Sequence, residues 1–97
     1  MRGGRRRVDA NQSDIVAALR AVGCSVWLTY QLGHGGVDAV SGLRNRTVLM
    51  EIKGPGEKLT PDEERFFAAW RGGPLVVVRT AEEALWAMGI HETGDET

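Results

Sequence analysis

The alternation of apolar and polar positions divides the chain into seven elements. Ile15, Val16, Leu19 and Val22 recur at helical spacing and Gly23 follows as a stop. Asp9, with Gln12 three residues on, has the form of a capping box, so the first helix is expected to begin there. Residues 24–30, CSVWLTY, are rich in β-branched and aromatic types and predict a strand, and QLGHGG at 31–36 predicts a flexible turn. VDAV at 37–40 reads as a short strand, SGLRNR as a hairpin connection, and 47–53 as the next strand. GPGEK at 54–58 is expected to be a mobile loop. Thr60-Pro61-Asp62-Glu63 then sets an N-cap, a proline at N1 and acids at N2 and N3, which predicts a helix to about Trp70. Gly72-Gly73-Pro74 ends it, and LVVV at 75–78 has the composition of a buried strand. Thr80 with Glu83 at N3 starts a last helix, with Leu85 and Met88 inward and Gly89 at its end.

The order α-β-β-β-α-β-α predicts an α/β fold, a mixed four-stranded sheet flanked by helices. Ninety-seven residues suit one domain, and the balance of 42% apolar and 26% charged residues is that of a globular protein. The longest apolar run is far short of a membrane span, and no signal-peptide core follows the basic start. Cys24 is the single cysteine, which excludes an intramolecular disulfide, and no Cys/His cluster suggests structural zinc, so a reducing, cytoplasmic setting is expected. The net charge of −1 favours no polyanion, but the charge is unevenly spread. Arg2, Arg5, Arg6 and Arg7 make residues 1–8 a basic arm, while Glu92, Asp95 and Glu96 make 91–97 an acidic tail; residues 9–90 form the domain between them. A glycine-spaced basic arm suits phosphate contacts with salt-dependent affinity; it suits a disordered, solubilising terminus equally well.

The stretch VLMEIKG at 48–54 carries the chemistry. Strand side chains alternate, so Val48, Met50 and Ile52 share one face while Leu49, Glu51 and Lys53 share the other. If strands 37–40 and 47–53 pair, Asp38 stands across the ladder from the region of Glu51, about 5 Å away on the same face. Two carboxylates that close repel unless one is protonated or a cation lies between them. A hard divalent ion held by Asp38, Glu51 and the backbone carbonyl of Ile52 removes the conflict, and Mg²⁺ typically takes one or two carboxylates and several waters. Lys53 would then position or deprotonate an attacking water, or offset charge in a phosphoryl transition state. The plainer alternative is a turn aspartate beside a surface ion pair worth under about 1 kcal/mol.

Glu63 falls in the middle of an apolar stripe formed by Leu59, Phe66, Phe67 and Trp70. An acid there needs a partner: the Thr60 backbone through a capping box, or Lys53 and the metal site. Gln12 has the same two readings, as the third position of the Asp9 box or as a residue turned towards the site, whereas Asp14 lies at the edge of its stripe, on the solvent side. His34, in a glycine-flanked loop before Asp38, and Lys58 join Arg5, Arg6 and Arg7 as candidate nucleic-acid contacts.

With Gly36-Val37-Asp38, then Glu51-Ile52-Lys53, then LTPDE after a short loop, the chain resembles the PD-(D/E)XK nuclease superfamily. Within it the chain looks like the small stand-alone VRR-NUC and Holliday-junction-resolvase-like proteins of phage genomes. The resemblance runs from about Asp9 to Ile90. It implies a restriction-endonuclease-like αβββαβ core followed by a further helix, and hydrolysis of DNA with Mg²⁺, or Mn²⁺ in its place, to leave a 5′-phosphate and a 3′-hydroxyl. In that scheme Asp38 and Glu51 are metal ligands and Lys53 the catalytic lysine, with Glu63 and Gln12 as further catalytic candidates. Val37 replaces the proline of the family name, Gln12 stands where related resolvases carry glutamate, and Glu63 stands where relatives often carry glutamine. The resemblance also implies a bacterial or phage-infected host cell. A domain this small is expected to grip DNA as a homo-oligomer, with Trp27 and Trp86 as candidate contacts. Two rival readings are a catalytically idle nucleic-acid-binding module of the same fold and a structural protein in which Glu51–Lys53 is only an ion pair.

Overall fold

A computed structural model describes residues 2–32 and 36–91, and the side chains within that range except those of residues 2–9 and Gln31. Its elements are α1 (Arg2–Ala21), β1 (Ser25–Leu28), a 3-10 turn (Tyr30–Leu32), β2 (Ala39–Leu43), β3 (Arg46–Ile52), α2 (Pro61–Ala69), β4 (Leu75–Val78) and α3 (Ala81–Ala87). The strands form one sheet in the order β1-β2-β3-β4, antiparallel for the first two pairs and parallel for β3 with β4. The chain is thus an α/β protein with a mixed four-stranded sheet and three helices, as the element pattern predicted. Among the described residues no helix is long and apolar enough to cross a membrane.

The core lies on one face of the sheet. Ile15 and Leu19 of α1 and Ala84 and Met88 at α3 close over Val48, Met50, Ile52 and Val78, all nearly or fully excluded from solvent. Both helices stop where their glycines allow. Gly23 and Gly89 adopt φ of 98° and 86°, and the amides that follow reach back five residues, Cys24 N to Leu19 O and Ile90 N to Leu85 O. A left-handed C′ residue of this kind favours glycine because it lacks a Cβ.

Three boundaries depart from the pattern. The backbone of α1 begins at Arg2, so Asp9 lies within the helix instead of capping it, and Gln12 is not an N3 residue. The second strand is displaced: Ser41, Gly42 and Leu43 belong to β2, and only Arg44 and Asn45 turn the hairpin, at φ of 51° and 68°. Two consecutive left-handed residues suit the twist of a two-residue hairpin, but Arg-Asn lacks the glycine by which such turns are recognised. The first strand ends at Leu28, and its expected last residue, Tyr30, joins the 3-10 turn together with Gln31 and Leu32 of the expected loop.

Candidate active site

β3 supplies residues to both the core and the site. Its inward residues Val48, Met50 and Ile52 fill the core, and its outward Glu51 and Lys53 are also buried, at 2% and 5% exposure. A surface ion pair is therefore not what this strand holds. The cover comes from the loop after β3 and the start of α2. Thr60 caps α2, its side chain accepting from the Glu63 amide at 3.2 Å, while Glu63 Oε1 accepts from the Thr60 amide at 2.8 Å. The same Glu63 oxygen lies 2.6 Å from Lys53 Nζ. The two roles weighed for Glu63, helix cap and lysine partner, are filled together. The expected stripe holds as well: Leu59, Glu63, Phe66, Phe67 and Trp70 are each half-buried, with Phe66 and Trp70 stacked at 5.6 Å.

Asp38 lies one residue before β2, yet the sheet still holds it. Its amide donates to Met50 O at 3.1 Å, and the register Ala39↔Met50, extended by one residue, sets it opposite Glu51. Asp38 Oδ2 accepts from the Ile52 amide at 2.8 Å. This fixes one carboxylate oxygen on the strand that bears the other acid. The two carboxyl groups are close enough to share a hydrogen when one is protonated, and Glu51 stands in the same relation to Glu63.

The electrostatics follow from crowding. Burial first, then the charges of Asp38 and Glu63, push Glu51 from an ordinary 4.5 up to about 9, against the pull of Lys53. Burial likewise raises Asp38, opposed by its hydrogen bond from the Ile52 amide. Burial works against the charge of Lys53, but the hydrogen bond to Glu63 and the carboxylates of Glu63, Glu51 and Glu57 outweigh it and raise its pKa. For Glu63, too, burial is outweighed, by Lys53 and the Thr60 amide, and its pKa is lowered. Glu51 Oε1 is buried without a hydrogen-bond partner.

Three contributors escaped the sequence reading. Glu57 Oε1 accepts from the Gly54 amide at 2.7 Å while Oε2 stands 3.8 Å from Lys53 Nζ, which folds the loop over the lysine. Arg79 Nη1 donates to Gly54 O at 2.6 Å and anchors the same loop from the end of β4. Asn11 Nδ2 donates to Lys53 O at 3.0 Å, so α1 reaches the site through Asn11 and not through Gln12. Gln12 instead lines a shallow depression with Ser13, Val16, Arg20 and Leu28, and no hydrogen bond or ion pair ties it to Asp38, Glu51 or Lys53. A helix running unbroken through Asp9 sets that rotation. Glu57 follows Lys53 by four residues, but in a loop that spacing marks no pairing, and the Arg79 and Asn11 contacts join residues 25 and 42 apart.

Among the described residues no group of three or more His, Cys, Asp or Glu side chains is arranged to hold a metal. Asp38, Glu51 and the Ile52 carbonyl remain as two carboxylates and one backbone oxygen, a hard-donor set of the kind Mg²⁺ accepts with waters. Lys58 is exposed. The side chains of Arg5, Arg6 and Arg7 lie outside the described residues, as do His34 and residues 92–97. Comparison of the chain with family models, with curated proteins and with solved structures finds no match.

Proposed function

We propose that the chain is a metal-dependent endonuclease of the restriction-endonuclease-like fold, hydrolysing DNA phosphodiesters at Asp38, Glu51 and Lys53. One observation carries this reading: Glu51 is buried opposite Asp38 with an oxygen that no group of the protein satisfies. A purely structural position seldom crowds two buried carboxyls until one must hold a proton, with a buried oxygen left orphaned. A hard cation relieves both defects, so the residues fit Mg²⁺ or Mn²⁺. When bound, the ion would polarise a phosphoryl oxygen and lower the pKa of a coordinated water.

The chain's own groups supply the rest. The Ile52 amide holds Asp38 Oδ2 in place, and Asn11 holds the Lys53 carbonyl, so the acid and the strand that carries the lysine are both fixed. Lys53 keeps its proton at neutral pH, because Glu51, Glu57 and Glu63 surround it. Of the roles open to it, orienting water and offsetting phosphoryl charge are therefore favoured over proton abstraction. Glu63 and Glu57 act as positioning residues for that ammonium group.

The test is cleavage of linear, nicked and four-way-branched DNA with Mg²⁺, Mn²⁺ or EDTA. Cleavage is expected with either metal, with none in EDTA, and with a loss of about 100-fold or more for Lys53→Ala and Asp38→Asn. Wild type and both variants behaving alike would remove the enzyme reading. Salt-sensitive binding without cleavage would leave the idle binding module in its place.

A further inference from the structure

The face of the sheet that bears Asp38 and Glu51 continues past them. Across it, Trp27 of β1 pairs with Val40 of β2 and Val40 with Leu49 of β3, while Val26 points the other way into the core. The amide of Thr29 donates to Asp38 O at 2.8 Å, so Thr29 sits opposite Asp38, and Trp27, two residues before it, is the diagonal neighbour of Asp38. Diagonal neighbours on one face are about 7–8 Å apart, within reach of an indole. Trp27 is 63% exposed, and Val40 and Leu49 beside it are only half-buried. The acids thus stand in the row beside Trp27, Val40 and Leu49, and the uncovered indole lies at the β1 end of that apolar strip.

We propose that Trp27 is a stacking platform for an unpaired nucleobase adjoining the phosphate that a cation at Asp38 and Glu51 would bind. The proposal rests on the nuclease reading and narrows its substrate to DNA with single-stranded character at the cut. A base inside a duplex has both faces covered by its neighbours and offers none to an indole, whereas a splayed or unpaired base offers one. Val40 and Leu49 have no polar side-chain atoms to read a base edge, so the subsite is tolerant of sequence. A second copy of the chain is a poorer occupant of the strip. Asp38, Glu51, Glu57 and Glu63 put four carboxyls around the single ammonium of Lys53, and a face-to-face contact would bring two such groups together. The base itself would rest on the indole, beside the acids, and the DNA strand's phosphate would meet them only through the cation that the nuclease reading places there.

The experiment measures binding of the full chain to a labelled twelve-nucleotide single strand and to the matching duplex, with Ca²⁺ replacing Mg²⁺ to hold off cleavage. Trp27→Ala is expected to weaken single-strand binding by about 5- to 150-fold, and Trp27→Tyr to retain most of it. Duplex binding and the melting temperature are expected to stay unchanged in both variants. Single-strand affinity unaltered by Trp27→Ala, in a protein whose wild type cleaves DNA with Mg²⁺, overturns the stacking platform and leaves the nuclease standing. Equal weakening on single strand and duplex also overturns it, by removing the preference for unpaired bases. So does a wild-type dimer that Trp27→Ala turns into a monomer of unchanged affinity, which would make the strip a contact between copies. A wild type that neither binds nor cleaves removes the nuclease reading, and the platform with it.

Discussion

The two faces of β3 use the same strand for opposite ends. Val48, Met50 and Ile52 meet α1 and α3 with apolar side chains, and burial there stabilises the fold. Glu51 and Lys53 are buried as deeply on the other face, where burial disfavours each charge and only neighbours offset it. A strand that tolerates such a face must be anchored by the first. The inner face gives stability, and the outer face spends part of it to hold acids and a lysine in one place.

Truncating the inner face should give the largest effect. Met50→Ala is expected to cost about 2–5 kcal/mol, read as a fall in the urea midpoint at unchanged slope. A loss under about 1 kcal/mol would mean that the inner face is not what anchors the strand.

Substitution on the outer face should act in the opposite direction. Glu51 is raised from 4.5 to about 9 in the fold, so the native state holds a proton that the unfolded chain releases between those values. The contribution of Glu51 to metal-free stability is therefore present in full below that window and is lost as pH climbs through it. Glu51→Gln, which needs no proton, is expected to abolish cleavage and yet melt higher than wild type at pH 8 in EDTA. The gain should be several degrees, at about 4–8 °C per kcal/mol, and should shrink at pH 5. Mg²⁺ should raise the melting temperature of wild type and leave the variant nearly unmoved. A variant less stable than wild type at pH 8 in EDTA would show that the carboxylate is well solvated or well paired.

The smallest effect sharpens the contrast from within the inner face. Ser41 faces the core opposite Val48, fully buried, with its hydroxyl unpartnered. Ser41→Ala is expected to be neutral or to stabilise by about 1 kcal/mol in thermal melts without altering cleavage. Destabilisation beyond that would reveal a partner for the hydroxyl.

Much of this was legible in the chain because it depends on neighbours in sequence. Alternation along 48–53 fixed which residues share a face, Thr60 and Thr80 announced their helices, and the stripe from Leu59 to Trp70 identified the half-buried side of α2. Local cues mislead at two places. Arg44-Asn45 turns a hairpin without glycine, and β2 lies later in the chain than the pattern over 37–40 predicts. The Asp9–Gln12 spacing imitates a cap inside a continuous helix, and Gln12 shares the stripe of Ile15, Val16 and Leu19, yet it is Asn11 that makes the contact.

The sequence by itself determined the element types, the two faces of β3 and the identity of the acids and the lysine, since periodicity and capping act over a few residues. Only the tertiary structure decided that Glu51 and Lys53 are buried, that one oxygen of Glu63 serves both cap and lysine, and that Glu57, Arg79 and Asn11 brace the loop and strand. It likewise decided that Trp27 stands diagonal to Asp38. Strand register and helix rotation are set by the whole core packing at once, and no local stretch of residues encodes them.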